Sequence, residues 1–204
     1  MRKKIWWAFL LLLVTVTVIL TGVIVRNHRH LENETQIPRM TQSNQKHITI
    51  KQRNRFINKI STPAVINFEK NRVVLPSVVI AQAILESQYG TSELYKLAKN
   101  PFGIKGSYQG QSMTFYTHEV EKGKTISVLA RFRKYPNLQA AIMDHNQLVH
   151  RKFVRQKNVL SYRKTTRLLQ KNGYATDPHY AQKLNHLIVK YKLGRYDLKA
   201  LNDN

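Results

Sequence analysis

Residues 5–25 read IWWAFLLLLVTVTVILTGVIV, 21 positions without a charge. At about 1.5 Å per residue, a helix of that length spans the ~30 Å hydrocarbon core of a bilayer. Nothing in the segment is polar enough to face water, so a core helix of a soluble domain is a poor alternative. Arg2, Lys3 and Lys4 precede it, and Arg26 and Arg29 follow it. Trp6 and Trp7, the only two Trp of the chain, stand where an interfacial aromatic belt lies. A cleaved signal peptide has a shorter apolar core and ends in small residues; this one ends Leu20-Thr21-Gly22-Val23-Ile24-Val25. The expectation is an uncleaved signal anchor, with residues 1–4 in the cytoplasm and everything after the span outside the cell membrane.

That placement limits what the rest of the chain can meet. The 204 residues include 34 Lys and Arg against 11 Asp and Glu, a net charge of +23. Such a charge calls for a polyanionic partner: nucleic acid, anionic lipid or an anionic cell wall. Export argues against nucleic acid. The absence of Cys excludes a disulfide framework, a thiol nucleophile and Cys-ligated metal sites. Residues 26–50 are polar and lack apolar periodicity, as a tether would. From residue 51 the pattern is globular, and residues 51–204 hold 27 Lys and Arg against nine Asp and Glu, a net +18.

Helical periodicity is expected over 51–73, broken near Ser61-Thr62-Pro63, with Thr62 as cap and Pro63 as a first-turn residue. A second helix starts at Leu75-Pro76, carries Val78, Val79, Gln82, Ala83, Leu85 and Glu86 at helical spacing, and ends near Gly90. A short helix is expected at Ser92–Ala98. The period then changes. Met113–Val120 and Thr125–Phe132 read as two strands joined through Glu121-Lys122-Gly123-Lys124, a hairpin. Helices resume at about 137–150, 158–171 and 178–191. Gly173 and Gly194 read as helix stops.

Several chemistries find no support. There is no H-E-x-x-H; His145 and His150 are five apart, and His179 and His186, seven apart, have no evident third ligand. No G-x-S-x-G and no phosphate-binding Gly loop occurs. The few carboxylates are more informative. Asp177, before Pro178, opens a helix as a cap; Asp197 and Asp203 fall in the tail; Glu69 and Glu93 sit among polar neighbours. Glu86 is different, because it ends the apolar run Val78-Val79-Ile80-Ala81-Gln82-Ala83-Ile84-Leu85. A carboxyl against such a wall loses solvation, its pKa rises, and it can hold a proton to give to a glycosidic oxygen. An exposed last-turn Glu is the ordinary alternative.

In order along the chain stand Leu85-Glu86-Ser87, Asn100-Pro101-Phe102-Gly103-Ile104-Lys105-Gly106, Thr117-His118-Glu119, Ala130-Arg131-Phe132-Arg133-Lys134-Tyr135, Asp144-His145 and Gly173-Tyr174-Ala175-Thr176-Asp177-Pro178-His179-Tyr180-Ala181. Over about residues 50–196 this resembles the bacterial peptidoglycan N-acetylglucosaminidases of glycoside hydrolase family 73. One departure is Pro101 where Leu is common. The resemblance implies an α+β, lysozyme-like fold: a mostly helical body with a small β-hairpin lobe, here preceded by the transmembrane helix.

The resemblance further implies that Glu86 is the catalytic acid and Glu119, on the hairpin, the second acidic residue. Glu121, two residues on and in phase along a strand, is the fallback. Asn100 and Phe102 belong to the loop after the catalytic helix and are implied at the substrate, with loop shaping as their alternative. One of Tyr174 and Tyr180 faces the cleft. Asp144-His145 fits a structural role. No metal and no cofactor is implied. The chain then reads as residues 1–4 cytoplasmic, 5–25 anchor, 26–50 tether and 51–204 catalytic domain, acting on peptidoglycan glycan strands. The run 151–171 has eight Lys and Arg and no acid. Outside the membrane it would hold the enzyme on anionic wall polymers such as teichoic acids. The alternatives are a muramidase or lytic transglycosylase of the same fold, and a non-catalytic polyanion- or wall-binding module.

Overall fold

The structure, a computed structural model, describes residues 23, 24, 26, 37, 38, 48–121 and 124–202, the side chains of 118–121 and 124–125 excepted. The chain divides into two units, Met1–Pro38 and Arg39–Asn204. The expected anchor lies outside the described residues apart from Val23 and Ile24, which are helical and exposed. Among the described residues no helix is long and apolar enough to cross a membrane.

The second unit begins with α1, Ile50–Asn71, which opens on a reciprocal cap. Thr49 Oγ1 accepts from Gln52 N at 3.2 Å, and Gln52 Oε1 accepts from Thr49 N at 3.0 Å. The break expected at Ser61–Pro63 is absent, and α1 runs on through Pro63. An interior Pro costs about 3 kcal/mol. Phe56, Ile57, Ile60, Ala64, Val65 and Phe68 are all buried along this helix, and each of these except Ala64 contributes roughly 1.5–3 kcal/mol, so the packed face overrides the Pro.

Helix α2, Pro76–Ser87, is buried nearly all round from Pro76 to Ile84. An apolar helix of that kind belongs at the centre of a domain, and α2 packs against α1 and three later helices: α5, Tyr162–Lys171, α6, Tyr180–Lys190, and α7, Gly194–Asn202. Its N-terminus has no side-chain cap of its own. Asp197 of α7 supplies one, accepting from Ser77 N at 2.7 Å. Two expectations are corrected here: Gly194 starts a helix instead of stopping one, and Asp197 is a buried cap instead of a tail residue.

Immediately after Glu86 the chain reverses through Gln88, Tyr89 and Gly90, all left-handed, with φ of 52°, 58° and 76°. Gly90 is required there twice over. Its φ suits glycine, and a Cβ would stand 2.6 Å from the Phe56 ring. Ser87 Oγ accepts from Gly90 N at 2.8 Å and donates to Ala83 O at 2.5 Å, pinning the turn to the helix.

Helix α3, Glu93–Ala98, is capped by Ser92 and leads into the lobe. Strands β1, Ser112–Glu121, and β2, Lys124–Arg133, form one antiparallel ladder with Phe115 opposite Ala130 and Glu119 opposite Ile126. Phe115 and Phe132 meet edge-on at 6.0 Å and, with Leu94 and Ala98, form a small second core. The lobe is thus seated on α3. Helix α4, Leu138–Val149, capped by Asn137, runs into a π-helical turn at His150–Val154. The helix expected at 158–171 starts only at Tyr162, because Asn158 is left-handed and gives its N–H to Arg72 O at 2.9 Å.

Candidate active site

Glu86 lies in the last turn of α2 and is half-buried. Its carboxyl has lost enough water that desolvation raises its pKa above the usual carboxylate value, a shift partly offset by a hydrogen bond from Tyr180. The residue keeps an open edge while the carboxyl itself is closely surrounded. Tyr180 Oη donates to Glu86 Oε1 at 2.8 Å, and Gln82 Nε2 donates to Tyr180 Oη at 3.2 Å. Gln82 stands four residues before Glu86, one turn away on the same face of α2. The three side chains form one chain of hydrogen bonds from the helix interior to the acid.

Tyr180 is placed by the first turn of α6. Asp177 shapes that turn, accepting from His179 N at 2.9 Å, and Gln170 Oε1 accepts from Ala181 N at 2.9 Å. Asp177 therefore acts at the helix start, as its position before Pro178 suggests. Tyr174 stacks on Tyr180 with ring centroids 5.5 Å apart, and Phe153 and His145 meet its edges. Both tyrosines of the Gly173–Ala181 stretch are thus beside Glu86, but only Tyr180 hydrogen-bonds it. The phenol pKa values of both are raised, chiefly by burial and next by the negative charge of Glu86. Each hydroxyl stays protonated as a donor.

A second polar group anchors the lobe to the body. Asp144 Oδ2 of α4 accepts from Arg133 Nη1 at 2.5 Å and from Tyr135 Oη at 2.6 Å. Arg133 ends β2, so this ion pair ties the hairpin base to α4. His145, fully buried, stacks face to face on Phe102 at 3.8 Å, and burial lowers its pKa to about 4. It is a neutral wall residue.

Asn100 and Phe102, implied at the substrate by the resemblance, occupy framework positions. Asn100 is 1% exposed. Its amide donates to Ile104 O and Arg133 O, both at 3.0 Å, and accepts from Phe102 N at 3.3 Å and Ile104 N at 3.2 Å. All its hydrogen-bonding capacity is used in closing the loop onto the end of β2. Phe102 is buried against His145. Glu119 and Glu121 pair with Ile126 and Lys124 in the ladder, and their side chains lie outside the described residues.

Sequence reasoning passed over Gln82 as a site residue, although a lone amide within an apolar run is a usable signal. It passed over Tyr135 as well, whose motif carries no mark of its hydroxyl's partner. Among the described residues no three His, Asp or Glu gather as metal ligands.

A desolvated acid ending a central helix, in a helical body that carries a two-stranded lobe, fits a lysozyme-like glycoside hydrolase. A family model described as mannosyl-glycoprotein endo-beta-N-acetylglucosaminidase matches residues 62–193. The chain belongs to this glucosaminidase family. Exo-glucosaminidase LytG of Bacillus subtilis is 46% identical over 153 residues, 70% of this chain and 52% of that protein. A probable N-acetylmuramidase of Lactococcus lactis subsp. cremoris is 34% identical over 191 residues, 88% of this chain and 41% of that protein. The catalytic domain of the autolysin Auto from Listeria monocytogenes superposes with a TM-score of 0.66 at 39% identity, covering 73% of this chain and 89% of that domain. The chain therefore spans about half, or less, of the length of these two curated relatives.

Proposed function

We propose that the protein is a membrane-anchored, extracellular endo-β-N-acetylglucosaminidase that hydrolyses the β-1,4 bond between GlcNAc and MurNAc in peptidoglycan. The observation that carries this reading is the Glu86 carboxyl, desolvated and held by Tyr180 at the end of α2. A raised pKa favours the protonated acid, and the hydrogen bond fixes the oxygen that remains an acceptor. Glu86 gives its proton to the glycosidic oxygen as the bond to the anomeric carbon breaks, and the leaving sugar departs as an alcohol. Glu119 of the hairpin orients the attacking water or stabilises the oxocarbenium-like charge, with Glu121 as the fallback. The N-acetyl group of the substrate is an alternative nucleophile.

Residues 5–25 serve as the anchor, 26–50 as the tether and 51–204 as the catalytic domain, with the net charge of +18 holding it among anionic wall polymers. The similarity to probable N-acetylmuramidases supports one second reading, cleavage on the other side of the disaccharide by the same acid. The test is digestion of purified walls followed by borohydride reduction. Glucosaminitol ends are expected. Muramitol ends would replace this reading by the second, and 1,6-anhydro ends would indicate transglycosylation. Glu86→Gln, which has no proton to give, should lower the rate at least ~10²–10⁴-fold with the fold intact. Wall clearing at the wild-type rate by that variant would end the assignment.

A further inference from the structure

A cavity of about 240 Å³ lies between the end of α1, the outer face of α4 and the π-helical turn, lined among others by Asn71, Asn146, Gln147, His150, Arg151 and Lys157. That volume corresponds to roughly eight waters at ~30 Å³ each, more than one small ion needs. No carboxylate lines it. Neither Arg151 nor Lys157 has an ion-pair partner among the described residues. A ring nitrogen of His150, Nδ1, is buried without a protein partner. Asn67, also on the lining, has its oxygen committed to Asn146 Nδ2 at 2.7 Å, so what it still offers is an N–H donor. Of the carbonyls at the end of α1, which disfavour an anion, Phe68 O and Arg72 O accept from Arg72 N and Asn158 N, and the charges of Arg151 and Lys157 must outweigh the rest.

Two full charges, several amide donors and a small apolar floor at Val73 and Met143 make a site for an anion with neutral hydroxyl-bearing carbon attached. We infer that this cavity binds a phosphodiester of a polyol-phosphate polymer, with Arg151 and Lys157 on the phosphate oxygens and the amides on the polyol hydroxyls. It adjoins the run 151–171, which holds eight Lys and Arg and no acid, so the polymer would continue from the cavity along a cationic segment. This deepens the wall-retention part of the proposed function by giving it a site, and it rests on the extracellular placement for the source of the ligand.

The test measures binding of fluorescent poly(glycerol phosphate) to the full chain in detergent by anisotropy. Arg151→Gln with Lys157→Gln should raise Kd at least tenfold. Lys164→Gln with Lys171→Gln, which removes the same charge from the same run, should raise it less than threefold. Met143→Trp, which fills the cavity and changes no charge, should also raise it tenfold. Equal losses in the two charge-neutralising pairs, or wild-type affinity in Met143→Trp, would reduce the attraction to diffuse charge and overturn the site. Inorganic phosphate should displace the probe where chloride at equal ionic strength does not, and should bind at least tenfold more weakly than the polymer. Displacement by chloride equal to that by phosphate, or phosphate binding as tightly as the polymer, would overturn the phosphodiester assignment. All these variants should hydrolyse walls stripped of the polymer at the wild-type rate. The binding result is therefore readable whether or not the glycosidase assignment stands.

Discussion

With Glu86 as the proposed general acid, the bond from Tyr180 sets the pH range over which it would work, and Tyr180→Phe isolates that bond. In the wild type the phenol donates to Glu86 Oε1 at 2.8 Å, which favours the ionised carboxylate and pulls down a pKa that burial has raised. A hydrogen bond to a charged group is worth about 1.5–3 kcal/mol. At 1.36 kcal/mol per pH unit, its loss should raise the Glu86 pKa by roughly one to two units. A general acid is active while protonated, so the alkaline limb of the pH profile should move upward by that amount. The assay is kcat/KM for wall hydrolysis from pH 4 to 10, whose limbs report the free enzyme. The same change strips Gln82 Nε2 of its acceptor, and Gln82 Oε1 is already buried without a partner. Stability should therefore fall by about 1–3 kcal/mol in urea. An alkaline limb that stays in place, or moves to lower pH, would refute the reasoning.

Asn100→Ala leaves two backbone N–H groups and two carbonyls without partners at the base of the lobe; a loss of roughly 3 kcal/mol or more is expected in urea denaturation, and a loss under ~1 kcal/mol would contradict its role in the loop. Two buried groups give opposing pH dependences. Burial holds His145 at about 4 against 6.5, so stability falls as pH drops through that window; Asp197 is raised from 3.8 to about 6, so its contribution is present below 3.8 and is lost as pH rises through 6. Asp197→Asn should remove the second effect, gaining up to about 3 kcal/mol at pH 7 and leaving a stability that climbs steadily from pH 4 to 6.5; an unchanged pH dependence in calorimetry would count against it. Glu119→Gln should depress hydrolysis of walls while Glu121→Gln leaves it near wild type, and the reverse pattern would shift the hairpin assignment by one strand repeat.

The order of helices and the hairpin were legible because their signals are local: apolar spacing, Pro at the start of α2, and the change to a two-residue period after residue 112. Glu86 could be singled out because the run Val78–Leu85, apolar but for Gln82, leads up to a single acid. What escaped was decided by distant contacts. Pro63 reads as a break in any window of the sequence, and only the burial of Phe56 through Phe68 explains why α1 ignores it. Gly194 and Asp197 look like the end of a domain because α7 is short and mostly polar; its Asp has meaning only against Ser77, 120 residues earlier. The hydrogen-bond chain Gln82–Tyr180–Glu86 joins two helices 94 residues apart. Asn100 could be placed in the correct loop, but its backbone partners decide between touching sugar and closing the loop, and no sequence pattern contains them.

The bond between Asp197 and Ser77 also separates two notions of where this domain stops. By recurrence among relatives the matched unit ends at residue 193, one residue before α7 begins. By packing it cannot stop there, because the helix that delivers Glu86 takes its N-terminal cap from α7. A fragment trimmed to 62–193 would expose the first-turn amides of α2, lose the buried Ala200 along with α7, and sever α1 in its middle. It would carry every residue of the glycosidase motif and still lack the scaffold that holds the acid in register. For grafting or recombining this catalytic unit, the indivisible piece is the full helical assembly from residue 48 to 202.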